Sequence, residues 1–152
     1  MIYQRKCQLF EVVMKIYNYD FEIETRGFTD IVNISGKVFE QINKCSITNG
    51  SVLVFSPGST SGITTIEYES GCVADLKRFF ESIAPSSLDY SHNMKWGDGN
   101  GFSHIRSAIT KTGFVFPVID GRPALGTWQQ IVFIDFDNSA RRRRIIVQVT
   151  GE

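Results

Sequence analysis

Both histidines of the chain, His92 and His104, fall in one short stretch, Tyr90-Ser-His-Asn-Met-Lys-Trp-Gly-Asp-Gly-Asn-Gly-Phe-Ser-His-Ile-Arg106. The same stretch holds Asp98, two asparagines, three glycines, Lys95 and Arg106. Core-building segments are not composed this way. Polar, titratable and glycine-rich residues at this density suit a loop and a helix start that handle a ligand. Imidazole is the side chain whose ordinary titration lies near neutrality, and it is also the commonest metal ligand. His92 and His104 are therefore candidates for proton transfer, and with Asp98 for holding a divalent metal, Mg²⁺ or Zn²⁺. Eleven residues separate the two histidines, which is no recognised zinc spacing. On spacing alone, two hydrogen-bonded residues of a loop and a helix are the plainer expectation.

Other residues could complete such a site. Glu67 ends a strand-like run, Ile63-Thr-Thr-Ile66, where a carboxylate can be a general base, a metal ligand or a solvated surface group. Gly58-Ser-Thr-Ser-Gly62 offers hydroxyls at Ser59 and Thr60 and close backbone approach, and its N–H groups could cradle a phosphate. It is not a P-loop, because the Gly-Lys-Ser/Thr ending is missing. A tight connection between strands explains it almost as well. Gly99-Asn100-Gly101 opens a helix, where free N–H groups attract anions, and Arg106 and Lys95 could add fixed charge. Gln129 reads as a buried amide supporting the site, and Trp128 as a packed aromatic. Arg141–Arg144 is too short for a nucleic-acid patch, and alternate residues of a strand face opposite ways. A hairpin edge or a subunit contact is the expectation there.

These residues need elements to position them. Leu9–Tyr17 and Phe21–Arg26 read as a hairpin turned at Asn18-Tyr19-Asp20. Val38, Phe39, Ile42 and Cys45 mark one face of a short helix, with Asn33 or Ser35 near its N-cap. Asn49-Gly50 turns into a buried strand, Val52–Phe55, and a further strand spans Ile63–Tyr68. A helix over Gly71–Ile83 presents Leu76, Phe79, Phe80 and Ile83 to the core, with Asp75 pairing Arg78 on the wet side. Residues 86–99 read as a long polar loop, and Asn100 as the cap of a helix over Gly101–Thr110. The rest is strand: Phe114–Ile119, Trp128–Asp137 and Arg144–Val149, with turns at Asp120-Gly121 and Asn138-Ser139-Ala140. The class is α+β, a mainly antiparallel, barrel-like sheet flanked by two or three short helices, in one domain over residues 1–152.

Composition narrows the function classes. Sixteen basic and sixteen acidic residues cancel, which argues against a general nucleic-acid or membrane-surface binder. Cys7, Cys45 and Cys72 are odd in number and scattered, as expected of reduced thiols. No stretch approaches the ~18 apolar residues of a membrane span. The expectation is a cytoplasmic protein without a membrane or nucleic-acid partner.

Several motifs, in order, resemble those of the YjbQ-like family. They are Gly58-Ser-Thr-Ser-Gly-Ile-Thr-Thr-Ile-Glu67, Tyr90-Ser-His92, Gly99-Asn-Gly-Phe-Ser-His-Ile-Arg106, Pro117-Val118, Asp120-Gly121, Leu125-Gly-Thr-Trp-Gln129 and Arg141-Arg-Arg143. The resemblance runs from the first strand to the C-terminus. It implies a barrel-like α+β fold assembled as a homotrimer. It implies a site around His92, His104 and Glu67, with a divalent metal, acting on a small phosphorylated substrate. The activity proposed for that family is a secondary thiamine-phosphate synthase, a transferase joining a pyrimidine pyrophosphate to a thiazole phosphate. A metal-dependent phosphate-handling hydrolase and a non-catalytic trimer binding a small anion are the alternatives. One departure stands out: many members carry a histidine where this chain has Gly58, so a three-histidine site is not available here.

Overall fold

The protein is described by a computed structural model over residues 13–152. Its first strand, β1 (Lys15–Thr25), runs straight through the expected turn at Asn18-Tyr19-Asp20. It pairs residue for residue with the last strand, β8 (Arg141–Gly151), so that Asn18 opposes Gln148 and Asp20 opposes Ile146. The polar residues are accommodated by the period of two. Asn18 and Asp20 both face outward, where Gln148 Nε2 donates to Asn18 Oδ1 at 2.8 Å and Arg144 Nε to Asp20 Oδ2 at 2.8 Å. The part of that hairpin placed at residues 9–12 lies outside the described residues.

The chain continues through β2 (Asp30–Asn33), α1 (Ser35–Ile42), β3 (Gly50–Phe55), β4 (Ser61–Ile66), α2 (Ser70–Ile83), α3 (Ser91–Trp96) and α4 (Gly101–Thr110). It then forms β5 (Gly113–Ile119), β6 (Arg122–Pro123) and β7 (Gln130–Asp135) before β8. All strand pairs are antiparallel, in a five-stranded sheet ordered β1-β8-β3-β5-β6 and a three-stranded sheet ordered β2-β7-β4. The sheets share one core, in which Val54, Phe116 and Val147 meet Ile63, Ile131 and Phe133, with Ile34, Val38 and Ile42 of the α1 segment beside them. The class is α+β, with a curled antiparallel sheet and, among the described residues, four helices rather than two or three.

The fourth helix is α3, inside the stretch read as a loop. None of its residues is buried, so it leaves no apolar periodicity to detect. Gly97, at φ 69°, ends it in the left-handed conformation. The apolar face of α2 also differs from expectation. Phe80 is its one buried residue, with its ring 4.8 Å from that of Phe136, and Val73 and Leu76 pack beside it. Phe79 and Ile83 stay 52% and 43% exposed, because residues 73, 76 and 80 form the stripe that meets the sheet. Trp128, expected to be packed, is 69% exposed. Asp75 does pair with Arg78. Among the described residues no helix is long and apolar enough to cross a membrane.

Candidate functional site

The two histidines approach each other because α3 seats closely on α4. Gly101 permits this: a Cβ there would stand 2.4 Å from the Tyr90 Cβ, well inside van der Waals contact. Asn93 Oδ1 accepts from the Gly101 N–H at 2.9 Å and pins α3 to the start of α4. The His92 and His104 rings then lie 4.4 Å apart, tilted by 43°. Asp98, on the link between the helices, brings Oδ2 to 3.3 Å from His92 Nε2. The Asn100 N–H donates to its other oxygen at 3.2 Å and is the main cause that holds the Asp98 carboxyl below its ordinary range, with His92 adding to it.

One ligand atom from each of His92, Asp98 and His104 lies within 4.8 Å of the others. Ligands of a tetrahedral zinc at ~2.0–2.2 Å stand about 3.4 Å apart, so the His92–Asp98 spacing already fits and His104 needs a small rotation. The donor set of two imidazoles and one carboxylate suits zinc better than magnesium, which prefers oxygen throughout. A proton on His92 Nε2 would instead make the same pair a histidine–carboxylate dyad, so the position serves either chemistry.

The cluster is tied to the sheet. Asn138 Nδ2 donates to the Asp98 carbonyl at 2.7 Å, and the Asn138 N–H to Asn100 Oδ1 at 3.2 Å. Ser107 Oγ donates to the Ser61 carbonyl at 2.6 Å, which brings the loop before β4 against α4. Between that loop and α4 lies a cavity of about 300 Å³, whose walls include Gly58, Ser59, His104, Ser107 and Lys111. His104 thus belongs both to the cluster and to the cavity wall.

The remaining expected site residues are distributed unevenly. Ser59 joins the cavity, and Thr60 lies behind it, buried, donating to Asp137 Oδ2 at 3.0 Å. Asn100 is buried and occupied by Ser103 and Asn138, and it makes no side-chain cap to α4. The helix-start N–H groups of Asn100 and Gly101 are taken by Asp98 and Asn93, so they are not an open anion site. Arg106 lies on the other face of α4. Its guanidinium, 2% exposed as a residue, is spent on the Ala84 carbonyl, Thr29 Oγ1 and Glu81. Lys95 rests over the Trp96 ring at 5.4 Å.

Glu67 and Gln129 belong to the opposite end of β4. Glu67 is exposed and follows the strand whose first residue, Ser61, is the one held by α4. Six residues of strand separate them by about 20 Å. Gln129 donates to Thr65 Oγ1 at 3.1 Å near that same end and accepts from the Gly126 N–H. The structure therefore brings together His92, Asp98, His104 and Ser59, and leaves Glu67, Arg106 and Gln129 elsewhere.

A charged network beside the cavity was not anticipated. Arg141–Arg144 opens β8, which runs between β1 and β3, and its members alternate in direction. Arg142 and Arg144 meet Glu22 and Asp20 outside, whereas Arg143 turns inward. Its Nε and Nη2 donate to Asp135 Oδ2 and Oδ1 at 2.8 and 2.7 Å, and Asp135 is fully buried. Burial alone would raise the neighbouring Asp137 carboxyl, but hydrogen bonds from Arg141, Thr60 and Ser139 hold it below its usual range. Part of the signal was available: the period of two along β8 turns Arg143 to the opposite side from Arg142 and Arg144.

Comparison with known proteins gives a consistent result. The family described as UPF0047 protein YjbQ-like matches residues 19–152. A UPF0047 protein of Methanothermobacter thermautotrophicus is 35% identical over 147 residues, covering 97% of this chain and 99% of that one. The UPF0047 protein YugU of Bacillus subtilis is 30% identical, covering 86% and 96%. Among solved structures, a YbjQ-like protein of unknown function from Sulfolobus solfataricus superposes with a TM-score of 0.88 at 31% identity, covering 92% of this chain and all of that one.

Proposed function

The chain belongs to the UPF0047 protein YjbQ-like family, and on that premise we propose that it is a divalent-metal-dependent enzyme acting on a small phosphorylated substrate. The observation that carries this reading is the convergence of His92, Asp98 and His104, with ligand atoms within 4.8 Å of one another, beside a cavity whose wall includes His104. When bound, a divalent ion supplies Lewis-acid charge beside a phosphoryl oxygen. His92 and Asp98 orient each other, and the Asn138 contact to the Asp98 carbonyl fixes the link that carries the carboxylate. His104 faces both the cluster and the cavity, so it can hold a proton or a ligand bond next to the reacting group. Ser59 and Lys111 supply a hydroxyl and a cation to the same cavity.

The reaction we favour is the transfer that the family resemblance implies, joining a pyrimidine pyrophosphate to a thiazole phosphate. Such a site must neutralise the departing pyrophosphate and hold two rings together. Hydrolysis of a phosphate ester is the second reading, favoured by a three-ligand set that leaves a coordination position open. The test is formation of thiamine phosphate from the two precursors with Zn²⁺ or Mg²⁺, comparing wild type with His104→Ala. Product from the wild type and its loss in a folded variant support transfer. Release of inorganic phosphate from the precursors without coupling supports hydrolysis. Tight binding of both precursors without turnover overturns the enzyme reading in favour of a binding module.

We extend the proposal to a homotrimer in the cytoplasm. The outward face of β5 carries Val115 and Ile119, 61% and 53% exposed, with Pro117 between them. An apolar strand face of this kind is a liability unless covered. Cys45 and Cys72 are free thiols, compatible with a reducing compartment. Val115→Glu should convert a trimer measured by light scattering into monomer, with little change in the monomer's circular dichroism. An oligomer of unchanged mass in that variant would exclude this face as the contact.

A further inference from the structure

We infer that Arg143 is an anion-binding residue, whose free Nη1 donors receive a phosphate group of the ligand that lies against Ser59 and His104. The inference deepens the proposed phosphate chemistry and rests on it for the identity of the anion.

Arginine presents five N–H donors in a rigid planar fork. In Arg143 one edge of the fork is committed. Nε and Nη2 hold Asp135 in a two-pronged contact, and Nη2 also reaches Thr60 Oγ1 at 2.9 Å and Asp137 Oδ2 at 3.3 Å. Nη1 donates to none of the described residues. No buried side-chain nitrogen or oxygen among the described residues lacks a partner, so Nη1 is open to solvent. It stands 3.7 Å from the position a Cβ would take on Gly58, the glycine whose loop forms the cavity wall with Ser59. The missing side chain leaves that approach uncovered.

This arrangement differs from an ordinary structural ion pair. Pairing with Asp135 needs a cation and one edge, and the outward Nη1 donors add nothing to it. The side chain is only 13% exposed, so the outward donors are already fixed and an incoming anion orders no flexible arm. Asp135 and Asp137 offset the charge of Arg143, so its contribution is directed hydrogen bonding more than net field. The cavity residues themselves include Lys111 and no carboxylate, so an anion placed there meets no like charge from the wall.

The experiment titrates inorganic phosphate into the full-length protein in the presence of chelator, so that its outcome is independent of the metal. In the wild type, saturable binding should shift the Arg143 guanidinium resonances in a ¹⁵N spectrum. Arg143→Lys keeps a cation for Asp135 but has no counterpart of Nη1, and should weaken phosphate binding tenfold or more while circular dichroism stays native. A folded Arg143→Lys protein that binds phosphate as tightly as wild type overturns the inference. So does a wild-type guanidinium unmoved by phosphate, or an absence of saturable binding, and those arms decide the matter even where the variant does not fold. His104→Ala separates the two claims: loss of turnover with Arg143-dependent phosphate binding retained leaves this inference standing.

Discussion

Asp135→Ala should lower stability by about 3–5 kcal/mol, because it strands the Arg143 guanidinium in a site built to neutralise it. Asp135 is fully buried and accepts from Thr25 Oγ1, from both prongs of Arg143 and from the Asp137 N–H at 3.0 Å. Removing it leaves the Arg143 guanidinium only its contacts to Thr60 Oγ1 and Asp137 Oδ2, and takes the acceptor of the Asp137 N–H from a fully buried position. Truncating one partner is the expensive change; replacing both with apolar groups of similar volume costs far less. For a domain of this size the loss corresponds to a fall of about 10 °C or more in Tm. Asp135→Asn, which keeps an acceptor but no charge, should fall between the two. Thermal denaturation of the three proteins checks this ordering. A Tm for Asp135→Ala within a degree or two of wild type would mean that the network carries little of the fold.

Gly101→Ala should damage the site far more than the fold. The added methyl must occupy the space of Tyr90 Cβ and Cγ, at 2.4 and 2.8 Å, and it also crowds Asn93 Oδ1 at 3.0 Å. The helix α4 is anchored to the sheet through Ser103 and Ser107, whereas α3 buries none of its residues. The weaker partner yields, so α3 moves away and carries His92 from His104. A displacement near 1 Å at a reacting group costs about 100-fold, and a similar loss of metal affinity is expected. The Tm should fall by only a few degrees, because the main core lies between the sheets. Zinc titration by calorimetry alongside thermal denaturation separates the two effects. Equal metal affinity in Gly101→Ala and wild type would show that the close seating of α3 is not what assembles the site.

Some of this architecture was legible from residue order. The helix over 101–110 matched because the asparagine before it is a local start signal, although its side chain makes no cap bond. The crowding of His92, Asp98 and His104 in one stretch was legible for the same reason. Long-range placement was not. Glu67 looked eligible until the pairing of β4 set it at the far end of the strand from α4. Arg106 and His104 read as parts of one site, but a helix turns about 200° between them and sends them to opposite faces, Arg106 to a separate cavity beside Phe28 and Glu81. Asn18 and Asp20 imitated a turn because outward positions of a strand admit polar residues that also favour turns. The helix α3 was invisible because it buries nothing.

The metal-ligand reading of the histidine pair is the claim on which the proposed function depends. Its most direct test is the zinc content of purified protein after equilibration with excess Zn²⁺ and dialysis, measured for wild type and for His104→Ala with folding verified. The account predicts one ion per chain in the wild type and none retained by the variant, since losing even an outer-shell partner of a ligand costs 10–100-fold in affinity and losing the ligand itself costs at least as much. A wild-type protein without stoichiometric metal, or a folded His104→Ala protein that keeps it, would contradict the account.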